Sequence, residues 1–279
     1  FPNETENRQV VSGLFIDRND IVYAVGQEFR DVKEWRTDGT TLTKPMINDL
    51  IMPWSLFVTT DGTIYSDTGI LTHNVKKWLF NETEGTVVMD IGTGFCVELF
   101  VDIINNVYCS LSTEHKIIKT LFDASENTSN VVITGKGSCG SDLDMICAPA
   151  GIFVTTEFDL YVSDYANHRI QLFESGQLTG ETVMGDIKTL SIRLNCPISV
   201  IVDADGYLFV VDFNNNRIIR SNSNGFYCVV GCSGVAGTAS DQLNQPFTAA
   251  FDSLGNIFVL DAGNHRFQKF TLMTNTDSK

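Results

Sequence analysis

One hairpin phrase, repeated along the chain with drift, constrains the fold more than any other feature. In its clearest form, residues 159–173 read DLYVSDYANHRIQLF: an apolar β-type run (Leu160, Tyr161, Val162), an Asp, a polar turn, and a second alternating run from Ile170 to Phe173. The phrase returns at 207–221 as YLFVVDFNNNRIIRS and at 256–270 as NIFVLDAGNHRFQKF. The copies align Asp164, Asp212 and Asp261 in one column and Arg169, Arg217 and Arg266 in another. Anchoring each unit on the aromatic of its second strand gives Tyr23, Tyr65, Tyr108, Tyr161, Phe209 and Phe258, at intervals (by subtraction) of 42, 43, 53, 48 and 49 residues.

A short strand precedes each aromatic, beginning at Leu14, Leu56, Leu99, Ile152, Val200 and Ala249. A third strand begins at Val32, Val75, Ile117, Ile170, Ile218 and Phe267; the second unit carries an insertion near Ile70 to Thr72. Fourth strands are expected at 86–89, 130–134 and 226–230. Four antiparallel strands per unit at this period predict an all-β fold, a six-bladed β-propeller of four-stranded antiparallel blades, with residues 1–279 as one domain. A stacked solenoid is the competing arrangement. Only TLMTNTDSK follows Phe270, so the outer strand of the last blade must come from the N-terminal segment, be missing, or lie in a longer repeat chain from which this one was cut.

The Asp-x-x-Asn-His-Arg form at 164–169 and 261–266 resembles the NHL repeat, and the likeness is fainter in the first three units. That resemblance implies a propeller used as a platform for proteins, nucleic acids or small ligands, and a fold of this kind does not fix which. Similar six-bladed propellers include enzymes: the peptide-amidating lyase uses zinc held by histidines, and lactonases and esterases hold calcium with Asp, Asn and Glu near the central channel.

The charge narrows the choice. With 19 Lys and Arg against 34 Asp and Glu, the chain carries a formal charge of -15, which repels phosphate backbones; no nucleic-acid partner is expected. No apolar run approaches the ~18 residues of a membrane span, so no membrane insertion is expected. The chain begins at Phe1 without a Met or signal peptide, and is read as a processed secreted chain or an excised domain.

All histidines (His73, His115, His168, His265) share the repeat position two residues before the third strand. A repeated position points to a repeated structural task, with imidazole bonding turn backbone and the Asp and Arg columns forming local ion pairs. One position repeated round a ring also keeps these rings too far apart to share a metal. No catalytic, cofactor or metal residue is therefore assigned. Asp17, Asp102, Asp203 and Asp252 form another column and read as turn residues. Calcium would need acids that break the repeat and converge on the axis; Asp90, Glu98 and Asp144 are candidates that the sequence does not single out. Gly135 to Gly140 reads as a connecting loop, since it has neither the elbow of a nucleophile motif nor a following helix to cradle phosphate.

Seven cysteines (Cys96, Cys109, Cys139, Cys147, Cys196, Cys228, Cys232) lack paired zinc spacing, and disulfides are the expected use. Cys139 and Cys147 bracket one short loop and form the best pair. Cys228 with Cys232 needs a bend at Gly231, or else another partner such as Cys196, and Cys109 reads as a buried thiol. An odd total leaves at least one unpaired or intermolecular. Sequons stand at Asn3, Asn81 and Asn127. Glycans on Asn81 and Asn127 would coat one face and leave the inter-blade loops of the other free. The combined expectation is an extracellular, monomeric, non-catalytic module binding a protein or glycan on the inter-blade loop face, the alternative being an enzyme with an ion in its central channel.

Overall fold

A computed structural model describes residues 11–26, 31–42, 47, 50–122, 128–185 and 192–271. The chain is an all-β six-bladed propeller. Each blade is an antiparallel sheet whose strands follow one another in sequence order; blades 2 to 5 have four strands, and blades 1 and 6 have three among the described residues. The inner strands are Val11–Ile16, Leu56–Val58, Cys96–Val101, Pro149–Val154, Pro197–Val202 and Pro246–Phe251. They neighbour one another in turn, and the sixth returns to the first, which makes a closed ring and not a solenoid.

Closure is visible in side chains too. Ser253 of blade 6 donates from its N–H and its hydroxyl to the Asp20 carboxylate of blade 1, at 2.7 and 2.8 Å. Leu14, Ile16 and Val22 of blade 1 share a buried cluster with Phe258 of blade 6. Pairing by the N-terminal segment, and the sequon at Asn3, fall outside the described residues, as does Asn127.

The core lies between blades. One cluster joins Tyr65, Val75 and Met89 of blade 2 to Leu99, Val107 and Leu111 of blade 3. Second strands are covered on both faces, so Val107–Leu111, Leu208–Asp212 and Ile257–Asp261 are buried throughout, and near-continuous apolar runs suit that position. The inner strands carry a register shift near their start in blades 1, 3, 4, 5 and 6. Such bulges sharpen the local twist and re-aim side chains beside the axis.

Strand positions follow the repeat, with one omission. Glu181–Met184 is the fourth strand of blade 4, a partly exposed segment that the sequence reading passed over.

Candidate functional site

The repeat columns build the framework around any site. After each 3-10 turn, His115, His168, Asn216 and His265 adopt the left-handed conformation, with φ of 52°, 56°, 51° and 52°. Asn and His are among the residues that tolerate this region, which accounts for their recurrence. Nδ1 of His115 accepts the Ala148 N–H at 3.1 Å, Nδ1 of His168 accepts the Cys196 N–H at 3.0 Å, and Oδ1 of Asn216 accepts the Gln245 N–H at 2.9 Å. In each case the turn of one blade holds the start of the next. His73 differs, its Nδ1 donating to the Gly94 carbonyl at 2.8 Å. Replacing His115 by Ala should cost about 1 kcal/mol, one net hydrogen bond, read as a lower urea midpoint.

The Asp and Arg columns pair as local salt bridges. Arg169, Arg217 and Arg266 reach Asp164, Asp212 and Asp261 through Nε at 2.7, 2.8 and 2.8 Å. The other carboxylate oxygen accepts a backbone N–H of the incoming loop, from Cys147, Asn195 and Asn244. The first-strand column makes Asx turns: Asp17, Asp102, Asp203 and Asp252 each accept backbone N–H groups two and four residues on.

Cysteine pairing needs one correction. Cys139–Cys147 and Cys228–Cys232 are bridged, the latter with Gly231 at φ 67° supplying the bend, and Cys196 is free. Cys109, expected as a lone buried thiol, is bridged to Cys96 with Cα atoms 5.4 Å apart. The bulge between Cys96 and Leu99 shifts the inner strand against its neighbour and brings the two cysteines together. Asn81 is exposed in a turn at φ 67°.

Of the acids suggested as repeat-breakers, Asp144 pairs with Lys136, and Asp90 caps a surface turn through the Gly92 N–H at 2.9 Å. Glu98 is different. Aligning the inner strands puts it in a column with Gly13, Ser55, Gly151, Ser199 and Thr248. That column is small because neighbouring inner strands nearly touch: a Cβ on Gly151 would stand 2.5 Å from Ser199 Cα. Glu98 is the one large member, and its Oε1 accepts from the Ser55 hydroxyl at 3.2 Å.

A second acid, missed in the sequence, lies close by. Asp67 ends the second strand of blade 2 and faces Val75, in the column of Ser110, Ser163, Val211 and Leu260 and one residue ahead of the Asp164 column, which Thr68 occupies here. Its carboxylate accepts from the Trp54 and Ser55 N–H groups at 2.8 Å each and from Gly69 at 3.2 Å. Wholly buried, Asp67 is pushed up to about 7 by desolvation, against the pull of these donors. Burial also pushes Glu98 up to about 7, opposed by the Ser55 hydroxyl and the Leu99 N–H and reinforced by the charge of Asp67. Glu98 keeps some surface toward the axis, which tempers that push.

Aromatic rings bound this layer on both sides. Farther down the inner strands Phe15, Phe57, Phe100 and Phe153 follow one another round the axis with centroids 4.8, 5.1 and 5.1 Å apart. Toward the inter-blade loops, half-buried Trp54 meets Phe95 at 5.4 Å and Phe247 at 6.4 Å. The indole Nε1 of Trp54 is buried without a hydrogen-bond partner. Blades 2, 3 and 6 thus share an aromatic mouth above two carboxyls that meet no cation among the described residues.

Among the described residues no group of three His, Cys, Asp or Glu is placed to hold a metal ion, and no helix is long and apolar enough to cross a membrane. On the opposite face a cleft of about 260 Å³ opens between blades 1 and 2.

No protein-family model matches the sequence, and no curated protein matches it. Solved structures do match in fold. A protein of unknown function from Bacteroides thetaiotaomicron superposes with TM-score 0.74 at 18% identity, over 94% of this chain and 69% of that one. Virginiamycin B lyase from Staphylococcus aureus gives TM-score 0.57 at 14% identity, over 97% and 87%. A chain of the nidogen/laminin complex gives TM-score 0.60 at 17% identity, over 77% and 76%. An enzyme and a protein in a complex thus share this architecture, and at such identities the likeness establishes the six-bladed propeller alone.

Proposed function

We propose that this chain is an NHL-like propeller acting outside the cell as a binding module, with a protein or glycan ligand seated at the axial mouth of the inter-blade face. The observation that carries the reading is the half-exposed trio Trp54, Phe95 and Phe247, drawn from three blades onto one rim. Aromatic side chains that keep accessible surface over a rigid scaffold are the usual anchors of an interface, because they bury large area at small entropic cost. Three disulfides suit an oxidising compartment, and a glycan on exposed Asn81 would project from the other face. The nidogen/laminin neighbour is a precedent for a propeller in a protein complex.

The test is a screen of the purified chain against glycan and extracellular-protein arrays, followed by Trp54→Ala. Affinity should fall at least about tenfold, the scale of an interface anchor, with the thermal midpoint little changed. Full affinity in the variant would move the site away from the axis.

Catalysis is the second reading, and one observation favours it: two carboxyls raised toward neutrality beside a channel are what general acid–base chemistry requires. Turnover of a lactone, ester or lyase substrate that is abolished by Glu98→Gln, with no partner found in the screen, would establish it over the first. Stoichiometric calcium or zinc in the pure protein would make that enzyme metal-dependent.

A further inference from the structure

Glu98 and the aromatic mouth are joined through two adjacent residues of blade 2. Trp54 supplies a half-buried ring of the rim, and Ser55, the next residue, supplies the hydroxyl that meets Glu98. That hydroxyl accepts the Leu99 N–H at 2.8 Å and donates to Oε1 of Glu98 at 3.2 Å, so its one proton is committed. The Glu98 N–H donates to the Ser110 hydroxyl at 2.9 Å, which fixes the backbone that carries the carboxyl. The N–H groups of the same two residues, Trp54 and Ser55, are held by Asp67 at 2.8 Å each. Among the described residues Oε2 of Glu98 meets no donor, and no lysine, arginine or histidine pairs with either acid.

The surface that Glu98 keeps toward the axis is where solvent reaches its carboxyl. A ligand seated on Trp54, Phe95 and Phe247 closes that access, and a carboxyl stripped of solvent is costly unless the ligand replaces what it removes. An anion would meet two acids on a chain that carries -15. A purely apolar group would leave Oε2 bare. A sugar hydroxyl brings a donor but no charge to set against Glu98 and Asp67 together. A bare metal ion finds too few ligands, since among the described residues no third Asp, Glu, His or Cys joins the pair. An organic cation brings both donor and charge, and the ring faces attract it as well. Among such cations the guanidinium suits an aromatic rim best: it is planar, stacks on rings, and is more weakly hydrated than an ammonium, so it loses less on leaving water.

We infer that the axial mouth takes an arginine side chain of a protein partner, its guanidinium lying against the rings of the rim and donating to Oε2 of Glu98. The inference rests on the binding reading of this mouth and names protein, not glycan, as the ligand. The rim itself argues for a protein. Rings drawn from three blades, with centroids 5.4 and 6.4 Å apart, present more surface than one guanidinium covers, and the neighbouring residues of a chain take up the remainder.

Isothermal titration of the whole chain with acetyl-Gly-Arg-Gly-amide, its citrulline counterpart, which keeps the plane without the charge, and agmatine tests it. The arginine peptide should bind at least about tenfold tighter than the citrulline peptide, the scale of a desolvated cation–π contact. Glu98→Gln, close in shape and without the charge, should erase that ratio. Trp54→Ala should weaken the arginine peptide at least about tenfold, with melting curves showing that both variants are folded. Failure of the inference and failure of the reading beneath it give different results. Equal binding of the two peptides by the wild type, or an arginine preference that survives Glu98→Gln while Trp54→Ala weakens both, overturns the inference and leaves the mouth as a binding site. Full affinity for the arginine peptide in Trp54→Ala removes the site from the mouth and overturns both. No binding of the arginine peptide overturns the inference, and so does agmatine binding as tightly as the peptide, which would make the ligand a free guanidine.

Discussion

Asp164→Ala is expected to destabilise the chain by about 3–5 kcal/mol, the usual cost of leaving one partner of a buried ion pair uncompensated. The side chain of Arg169 is only 10% exposed, and that of Asp164 is not exposed at all. Removing the carboxylate orphans the Nε of Arg169, the Cys147 N–H and the Asn167 amide together. The guanidinium also holds the carbonyls of Ser141, Asp142 and Met145, so the loop closed by Cys139–Cys147 loses its anchor at the same time. Urea titration at pH 7 reads the loss. Asp261→Ala should cost less, because Arg266 is 31% exposed and water can take over part of its solvation. Equal losses in the two variants would mean that burial does not set the cost.

The second large effect is a stabilisation. At pH 8 Glu98→Gln should be more stable than the wild type by about 2 kcal/mol, a shift of this size discounted for the surface Glu98 keeps toward the axis. The direction follows from linkage. A carboxyl whose folded pKa is raised from 4.5 to about 7 binds its proton more tightly in the folded state, so its favourable contribution is full below about 4.5 and is lost as pH rises through 7. Gln removes the charge and keeps an oxygen for the Ser55 hydroxyl. The two proteins should therefore have matching stability near pH 4 and diverge between pH 5 and 8. Urea midpoints across that range give the answer, and a variant less stable than wild type at pH 8 would show that Glu98 is ionised against a cation.

The unpaired carboxyls bear on either functional reading. Glu98 stands in a ring of Gly, Ser and Thr, and Asp67 takes a column that holds Ser or an apolar residue in blades 3 to 6. Neither is explained by the repeated framework that accounts for Asp164, Asp212 and Asp261. Departures from an internal repeat are where function is to be sought, because the repeated positions already have a structural cause.

The sixfold phrase by itself determined the fold class and the number of blades. Both depend on pairing within one blade, where partners are close in sequence and strand periodicity fixes which residues meet. Only the tertiary structure decided the rest. The Trp54 and Ser55 N–H groups came to the Asp67 carboxylate, a bulge brought Cys96 to Cys109, and the hydroxyl that Glu98 meets lies 43 residues away in the previous blade. The aromatic mouth likewise arises between blades. Lateral packing of one blade on the next leaves no period in the sequence, since it is set by shape and burial across the ring and not by hydrogen bonding along a sheet.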